Sequence, residues 1–170
     1  MSTGQGDGSY LANGETGTMK DAKTGSRIFV MSASGWASIK KELADTFPTE
    51  SGIILERMGY SYGADLASSL GRASDKIGAF GLYVATNGWG KLTVLTGDPL
   101  GTSSSLGLNG CVFCSSMKGD PSLGCTFFTG VLHGLLDELA DEEHAITESK
   151  CECRGDPVCQ FDVETTEMEH

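Results

Sequence analysis

The sequence predicts an α+β fold, an antiparallel sheet with packed helices, and three observations lead there. Apolar residues recur at helical spacing in three stretches, 34–48, 49–70 and 121–139. Short runs rich in β-branched and aromatic residues lie outside them, bounded by Gly, Asn and Asp. The last two runs flank Gly155-Asp156, a turn signal that pairs neighbours antiparallel.

Taken in order, residues 1–24 are rich in Gly, Ser, Thr and Asn with few large apolar side chains, and are read as a flexible arm. Arg27 to Met31 reads as a strand. Trp36, Ile39, Leu43 and Phe47 form the apolar face of a helix that stops near Pro48, with Lys40, Lys41, Glu42 and Asp45 as its polar side. Thr49 and Glu50 offer a cap and a first-turn acid for a second helix along Ile53, Ile54, Met58, Leu66 and Leu70. Gly59 and Gly63 interrupt it, which predicts close packing with another backbone or a bend.

Ala79–Thr86 and Lys91–Thr96 around Asn87-Gly88-Trp89-Gly90 are expected to form a two-stranded hairpin, and 97–110 a loop or irregular edge strand. Pro121 to Leu139 is expected as a helix whose stripe runs Cys125, Phe128, Val131, Leu132, Leu135, Leu136, Leu139; Gly124, Gly130 and Gly134 again predict tight contact. Ala145–Cys153 and Val158–Glu164 form the terminal hairpin. The expected organisation is an arm at 1–24, one domain at 25–165 and an acidic tail at 166–170.

At 170 residues the chain can bury a core without disulfide staples. It has no apolar run of the roughly 20 residues that a bilayer span needs and no basic, apolar leader, so a cytoplasmic location is expected. Twelve Lys and Arg against 23 Asp and Glu give a formal charge of −11, which repels a phosphate backbone and argues against direct nucleic-acid binding.

Six cysteines cluster between 111 and 159. In a reducing compartment such clusters more often carry metal or redox chemistry than disulfides. Cys125, Glu148, Cys151 and Cys159 supply three thiolates and a carboxylate, a tetrahedral zinc set with no open position and therefore structural in role. Strand parity sets a condition: Cys151 and Cys159 share a face only if 151 stands opposite 159, through a three-residue loop at 154–156 or an equivalent bulge. Lys150 and Arg154 are placed to offset the surplus negative charge. The alternative is that these thiols are small buried apolar residues.

The stretch Cys125–Val163 resembles the 4-vinyl-reductase domain family, whose terminal motif runs cysteine, two spaced glycines, glutamate, then a C-x7-C hairpin ending in an aromatic. Cys125, Gly130, Gly134, Glu148, Cys151, Gly155, Cys159 and Phe161 fill those positions. Lys40–Ala67 is similar to the sensory domain of phenol-responsive bacterial transcription activators, which carry the same terminal domain. The resemblance implies a ligand-binding domain of the 4-vinyl-reductase, NO-signalling and Golgi-transport type, with a structural zinc at Cys125, Glu148, Cys151 and Cys159. It implies a sensor or carrier for a small hydrophobic or aromatic molecule, acting as a homodimer on a signalling partner. Its other implications are a reductase or accessory factor in chlorophyll-type tetrapyrrole synthesis, and a protein-interaction module. The ATPase and helix-turn-helix modules of the activators fall outside the resemblance. Their tryptophan-bearing segment is replaced here by GDPLGTSSSLGLNG, which takes phenol specificity out of the expectation.

Cys111-x-x-Cys114, with Cys153, could form a second thiol site: a redox pair, a second metal site or a covalent-ligand site. Trp36, Tyr83, Phe128 and His133 are the candidate ligand-pocket residues. His144, in a charged loop, is expected to be solvated, as is the acid run Asp137 to Glu143. No catalytic residue emerges from the sequence: it holds no convincing Ser/His/Asp order, phosphate cradle or dinucleotide fingerprint.

Overall fold

Two glycines four residues apart on each of two helices decide how this chain packs. In the computed structural model, which describes residues 10–22, 25–70, 74–115 and 124–166, those helices are α2 (Ser51–Ser69) and α5 (Thr126–Ala140). A β-carbon on Gly59 would come within 2.9 Å of the Val131 amide nitrogen. One on Gly63 would lie equally close to the Leu135 nitrogen. Reciprocally, Gly130 abuts the carbonyl of Glu56 and Gly134 that of Tyr60. The two backbones touch, as the glycine spacing predicts, because nothing larger fits between them.

The other face of α5 meets a four-stranded antiparallel sheet of order β4-β5-β7-β6, made of Lys91–Gly97, Ser103–Asn109, Cys159–Thr165 and His144–Lys150 respectively. Phe128, Val131, Leu132, Leu135 and Leu136 are fully buried, and the Phe128 ring lies 5.4 Å from that of Phe161 on β7. The expected α+β class with an antiparallel sheet and packed helices is the one observed. Helix α1 (Ala33–Thr46) precedes α2, and α4 (Val112–Ser115) is a single turn between β5 and α5. All of these belong to one compact unit, 33–170.

Residues 1–32 form a separate unit. Within the stretch expected as a flexible arm, β1 (Tyr10–Asn13) and β2 (Thr18–Asp21) pair as a hairpin, and β2 pairs onward with β3 (Arg27–Ile28). Asn13 Oδ1 accepts the amides of Glu15 and Thr16, and Gly17 takes φ 61°, so polar turn chemistry rather than apolar content makes this hairpin. The strand expected over 27–31 is only two residues long; Phe29 and Val30 are exposed. Residues 1–9 and most of the expected acidic tail, 167–170, lie outside the described residues.

Two expectations are corrected in the middle of the chain. Ala79–Thr86 is not a strand but part of α3 (Lys76–Thr86), because Asp75 caps its first turn by accepting the Gly78 amide, and Phe80 and Val84 are buried four residues apart. Of the segment 97–110, only 98–102 is a loop: Ser103–Asn109 is β5, a central strand with Ser104 to Leu108 buried, and β4 pairs with it. Its serines and glycine hid it, although Gly107 serves there by letting Leu95 and Thr93 pack over it. The helix expected from Pro121 is described from Thr126, with 116–123 outside the described residues.

Candidate metal centre

Strand register brings the thiols together. On β5, Leu108 stands opposite Cys159, so the chain leaving β5 reaches Cys111 beside the start of β7. On the other side, Glu148 pairs with Phe161 but Lys150 with Gln160, a one-residue shift that marks a β-bulge. Past the bulge the register is the one that sets Cys151 beside Cys159, as the parity condition requires. Pairing nevertheless ends at Lys150, and 151–158 is a loop containing a 3₁₀ turn (Glu152–Arg154) closed by Gly155 at φ 93°, not a three-residue turn.

That loop is ordered by its own polar groups. The Cys151 amide donates to Asp156 Oδ2 at 2.8 Å, the Cys151 carbonyl accepts from Arg154 and Asp156, and the Glu152 amide points at Cys159 Sγ at 3.3 Å. Cys125 occupies the N-cap position of α5. Its amide faces both carboxylate oxygens of Glu148, at 3.2 and 3.3 Å, across Gly124, where a β-carbon would crowd that carboxylate. The ligand atoms of Cys125, Glu148, Cys151 and Cys159 all lie within 4.8 Å of one another. Zinc with Zn–S bonds of about 2.3 Å holds its ligands on a tetrahedron with edges of about 3.8 Å, so this donor set fits it in chemistry and in size.

Cys111, Cys114 and Cys153, weighed as a separate second site, adjoin the first. Cys111 Sγ and Cys114 Sγ each lie 3.2 Å from Cys125 Sγ, Cys114 Sγ is 3.5 Å from Cys151 and 3.6 Å from Cys159, and Cys153 Sγ approaches the Cys114 carbonyl. Cys111 directly precedes α4 and Cys114 lies within it. All six cysteines are reduced and buried. The buried cysteine cluster could hold a metal ion.

Electrostatics within the cluster are those of many acids sharing little charge. Hydrogen bonds from the Cys114, Cys125 and Cys159 thiols hold Cys151 far below the ordinary thiol range. Contacts with Cys111, Cys114, Cys151 and Cys159 hold Cys125 well above that range. Burial pushes Cys153 up to about 11 and, together with a hydrogen bond to Cys151, Glu148 up to about 7. A divalent cation would pull the raised groups down as well, since it favours the deprotonated form of every ligand.

The cation nearest this chemistry is one that sequence reading placed on a solvated face. Lys40 is 1% exposed and its Nζ donates to the Gly124 carbonyl at 2.7 Å. The signal was present, because 36, 40 and 43 also make a helical stripe, whereas Ile39 and Phe47, assigned by the sequence to the apolar face, prove 44% and 47% exposed. Lys150 is exposed, and Arg154 reaches the Glu148 carbonyl only at 3.5 Å.

The expected pocket residues divide. Trp36, Phe113, Phe127, Phe128, Trp89 and Tyr83 form a connected set of ring contacts, from Trp36 on Phe127 at 5.0 Å to Tyr83 on Trp89 at 5.7 Å. Trp36 Nε1 is buried in that set without a hydrogen-bond partner among the described residues. His133 lies elsewhere, edge-on to Tyr60 at 5.1 Å and 3.5 Å from Asp137. None of Trp36, Tyr83, Phe128 and His133 lines the two clefts of about 600 Å³, one beside Asn109 and the 152–157 loop, the other between the start of α3 and β4. The expectations for His144 and Asp137 are corrected too: His144 is buried, with Nδ1 3.0 Å from Asp137 Oδ1, and Asp137 Oδ2 accepts the Tyr60 hydroxyl at 3.1 Å. The i, i+4 spacing of His133 and Asp137 was the available hint.

No family model matches the sequence, and no curated protein matches it either. Solved structures do match. The crystal structure of the phenol-responsive sensory domain of the transcription activator PoxR with phenol aligns at TM-score 0.73 and 18% identity, over 95% of this chain and 87% of that one. A vinyl-4-reductase family protein from Methanocaldococcus jannaschii aligns at TM-score 0.60 and 16% identity, over 82% and 85%. A trafficking protein particle complex subunit 3 from Naegleria fowleri, covalently bound to palmitic acid, aligns at TM-score 0.62 and 16% identity, over 81% and 95%. Among the described residues no helix is long and apolar enough to cross a membrane. The chain has the α+β fold of the PoxR phenol-sensory domain and of a vinyl-4-reductase family protein.

Proposed function

We propose that this chain is a small-molecule-binding domain of sensor or carrier type, stabilised by a zinc ion on Cys125, Glu148, Cys151 and Cys159. The observation that carries the reading is the convergence of those four ligand atoms within 4.8 Å at the junction of α5, β6 and β7. Zinc there would supply a cross-link, tying the 151–158 loop to the start of the central helix. With four protein ligands the ion has no open position, so its role is structural.

The ligand side of the proposal rests on the aromatic set beside the metal ligands. Phe113 lies between Cys111 and Cys114, Phe127 and Phe128 follow Cys125, and Phe161 follows Cys159 in β7. A buried indole N–H without a partner among such rings is a donor awaiting an acceptor, which suits an aromatic molecule with one polar oxygen. Entry requires Trp36 on α1 to move from Phe113 and Phe127. The domain would act in the cytoplasm as a homodimer, its metal-tied loop relaying occupancy to a partner protein. A second reading, an interaction module, is favoured by the direct packing of these rings on one another.

The test is zinc removal by a chelator, followed by thermal denaturation and by phenol titration on tryptophan fluorescence. Loss of zinc should lower the melting temperature and weaken phenol binding together. If both are unchanged, the metal-stabilised sensor reading fails; if neither phenol nor a panel of other small aromatic alcohols binds while zinc still stabilises the fold, the interaction module takes its place.

A further inference from the structure

We propose that the thiol cluster holds two zinc-class ions, the second on Cys111 and Cys114, with Cys125 and Cys159 bridging the pair. This rests on the zinc reading above and extends it. Two four-atom ligand sets exist here: Cys111, Cys114, Cys125 and Cys159, and Cys125, Glu148, Cys151 and Cys159. In each, the four atoms lie within 4.8 Å of one another, and the two sets share Cys125 and Cys159. One tetrahedral ion takes four ligands and leaves two of these thiols without a task.

Four of the sulfur separations fit tetrahedra that share the Cys125–Cys159 edge; a fifth, Cys114 to Cys151 at 3.5 Å, joins end ligands of different ions and would have to widen on loading. Cys111 to Cys125, Cys114 to Cys125, Cys114 to Cys159 and Cys125 to Cys159 measure 3.2, 3.2, 3.6 and 3.4 Å, near the edge of about 3.8 Å that a single zinc imposes on its thiolates. A four-iron cluster sets its cysteines at the corners of a larger cage, so these separations speak for individual ions. Thiolate-rich sites of this kind select soft or borderline cations such as zinc and cadmium.

Charge does not oppose the second ion. It brings two positive charges, and its two new thiolates bring two negative ones, so the centre's net charge is that of the one-ion site. The Cys111-x-x-Cys114 arm is also prepositioned: Glu152 Oε1 accepts the Gly110 amide at 2.8 Å and faces the Cys111 amide at 3.5 Å. One carboxylate thus ties that arm to the loop carrying Cys151. C-x-x-C is a usual zinc half-site spacing, and both thiols are wholly buried.

The experiment is native mass spectrometry of the full chain, reconstituted anaerobically with zinc, alongside its C111S/C114S variant and a ¹¹³Cd NMR spectrum of the cadmium-loaded wild type. Two ions per wild-type chain, falling to one in the variant, with two ¹¹³Cd resonances that split each other through shared sulfur, is the expected result. One ion per wild-type chain overturns the second site and leaves the first; none overturns both. Two ions in the variant, or two cadmium resonances without mutual splitting, overturns the bridged assignment. The wild-type measurements decide the matter even if the variant does not fold.

Discussion

Gly134 of α5 lies so close to Tyr60 of α2 that a β-carbon on the glycine would stand 2.8 Å from the tyrosine's carbonyl carbon. Backbone cannot yield as a side-chain tip can, so Gly134→Ala must push the helices apart. The expected loss is about 1–3 kcal/mol or more, from overpacking alone. Gly81→Ala on α3 is the control: nothing lies within 4 Å of its added carbon, and relief of chain entropy should stabilise the fold by about 0.5–1 kcal/mol. Urea denaturation midpoints of the two variants should therefore move in opposite directions; movement in the same direction would refute the backbone-contact account.

The same glycines explain why so much of the fold was legible. Paired small residues at i and i+4 on two apolar helices speak of close approach whatever the surroundings, and so does the alternation of the terminal hairpin. Illegible were β5, whose Ser104, Ser105 and Gly107 are buried by position in the sheet rather than by side-chain character, and α3, whose apolar run has no polar face to set its period. The four proposed metal ligands could be named from chemistry and resemblance. That Cys111 and Cys114 join the same cluster could not, because it follows from the β5–β7 register, which only the folded sheet defines; Cys153 is brought there by the 3₁₀ turn after β6.

Lys40→Met should separate the role of a charge from that of its stem. The substitution keeps a long apolar side chain in place but removes the donor to Gly124 and the buried positive charge, which partly offsets the upward push of burial on the Cys153 thiol. A hydrogen bond from a charged group contributes about 1.5–3 kcal/mol. An anionic centre deprived of its cation should also bind zinc about 10-fold more weakly, as other supporting contacts do. Chelator competition measures the second effect, and unchanged zinc affinity would reduce Lys40 to a packing residue.

Asp137 accepts the His144 amide at 2.9 Å, faces His144 Nδ1 and takes the Tyr60 hydroxyl, joining α2, α5 and the first residue of β6. Asp137→Ala leaves the buried His144 amide and ring nitrogen without their partner, at about 1–3 kcal/mol for each group left unsatisfied, while the exposed Tyr60 hydroxyl turns to water. Its neighbour Glu138 is exposed, and Glu138→Ala should stay within about 0.5 kcal/mol of wild type. Equal urea midpoints for the two variants would return Asp137 to the solvated acid run in which the sequence places it.

Acid should weaken the β5–β7 contact through Asp162. Hydrogen bonds from Gln160, Ser149 and Ser105 hold its carboxyl below the ordinary value of 3.8; the Ser105 hydroxyl is at 2.8 Å and the Gln160 amide at 3.0 Å. A carboxyl depressed in the folded state stabilises the protein above its unfolded pKa, and that contribution is lost as pH falls through the folded pKa. The window therefore opens just below pH 4. Asp162 is half-buried and its partners are neutral, so the effect should be under about 1 kcal/mol. Asp162→Asn keeps an oxygen for the same donors but removes the titration. Urea midpoints taken from pH 6 down to pH 3 should fall less steeply in the variant, and parallel curves would show that Asp162 carries none of the acid sensitivity.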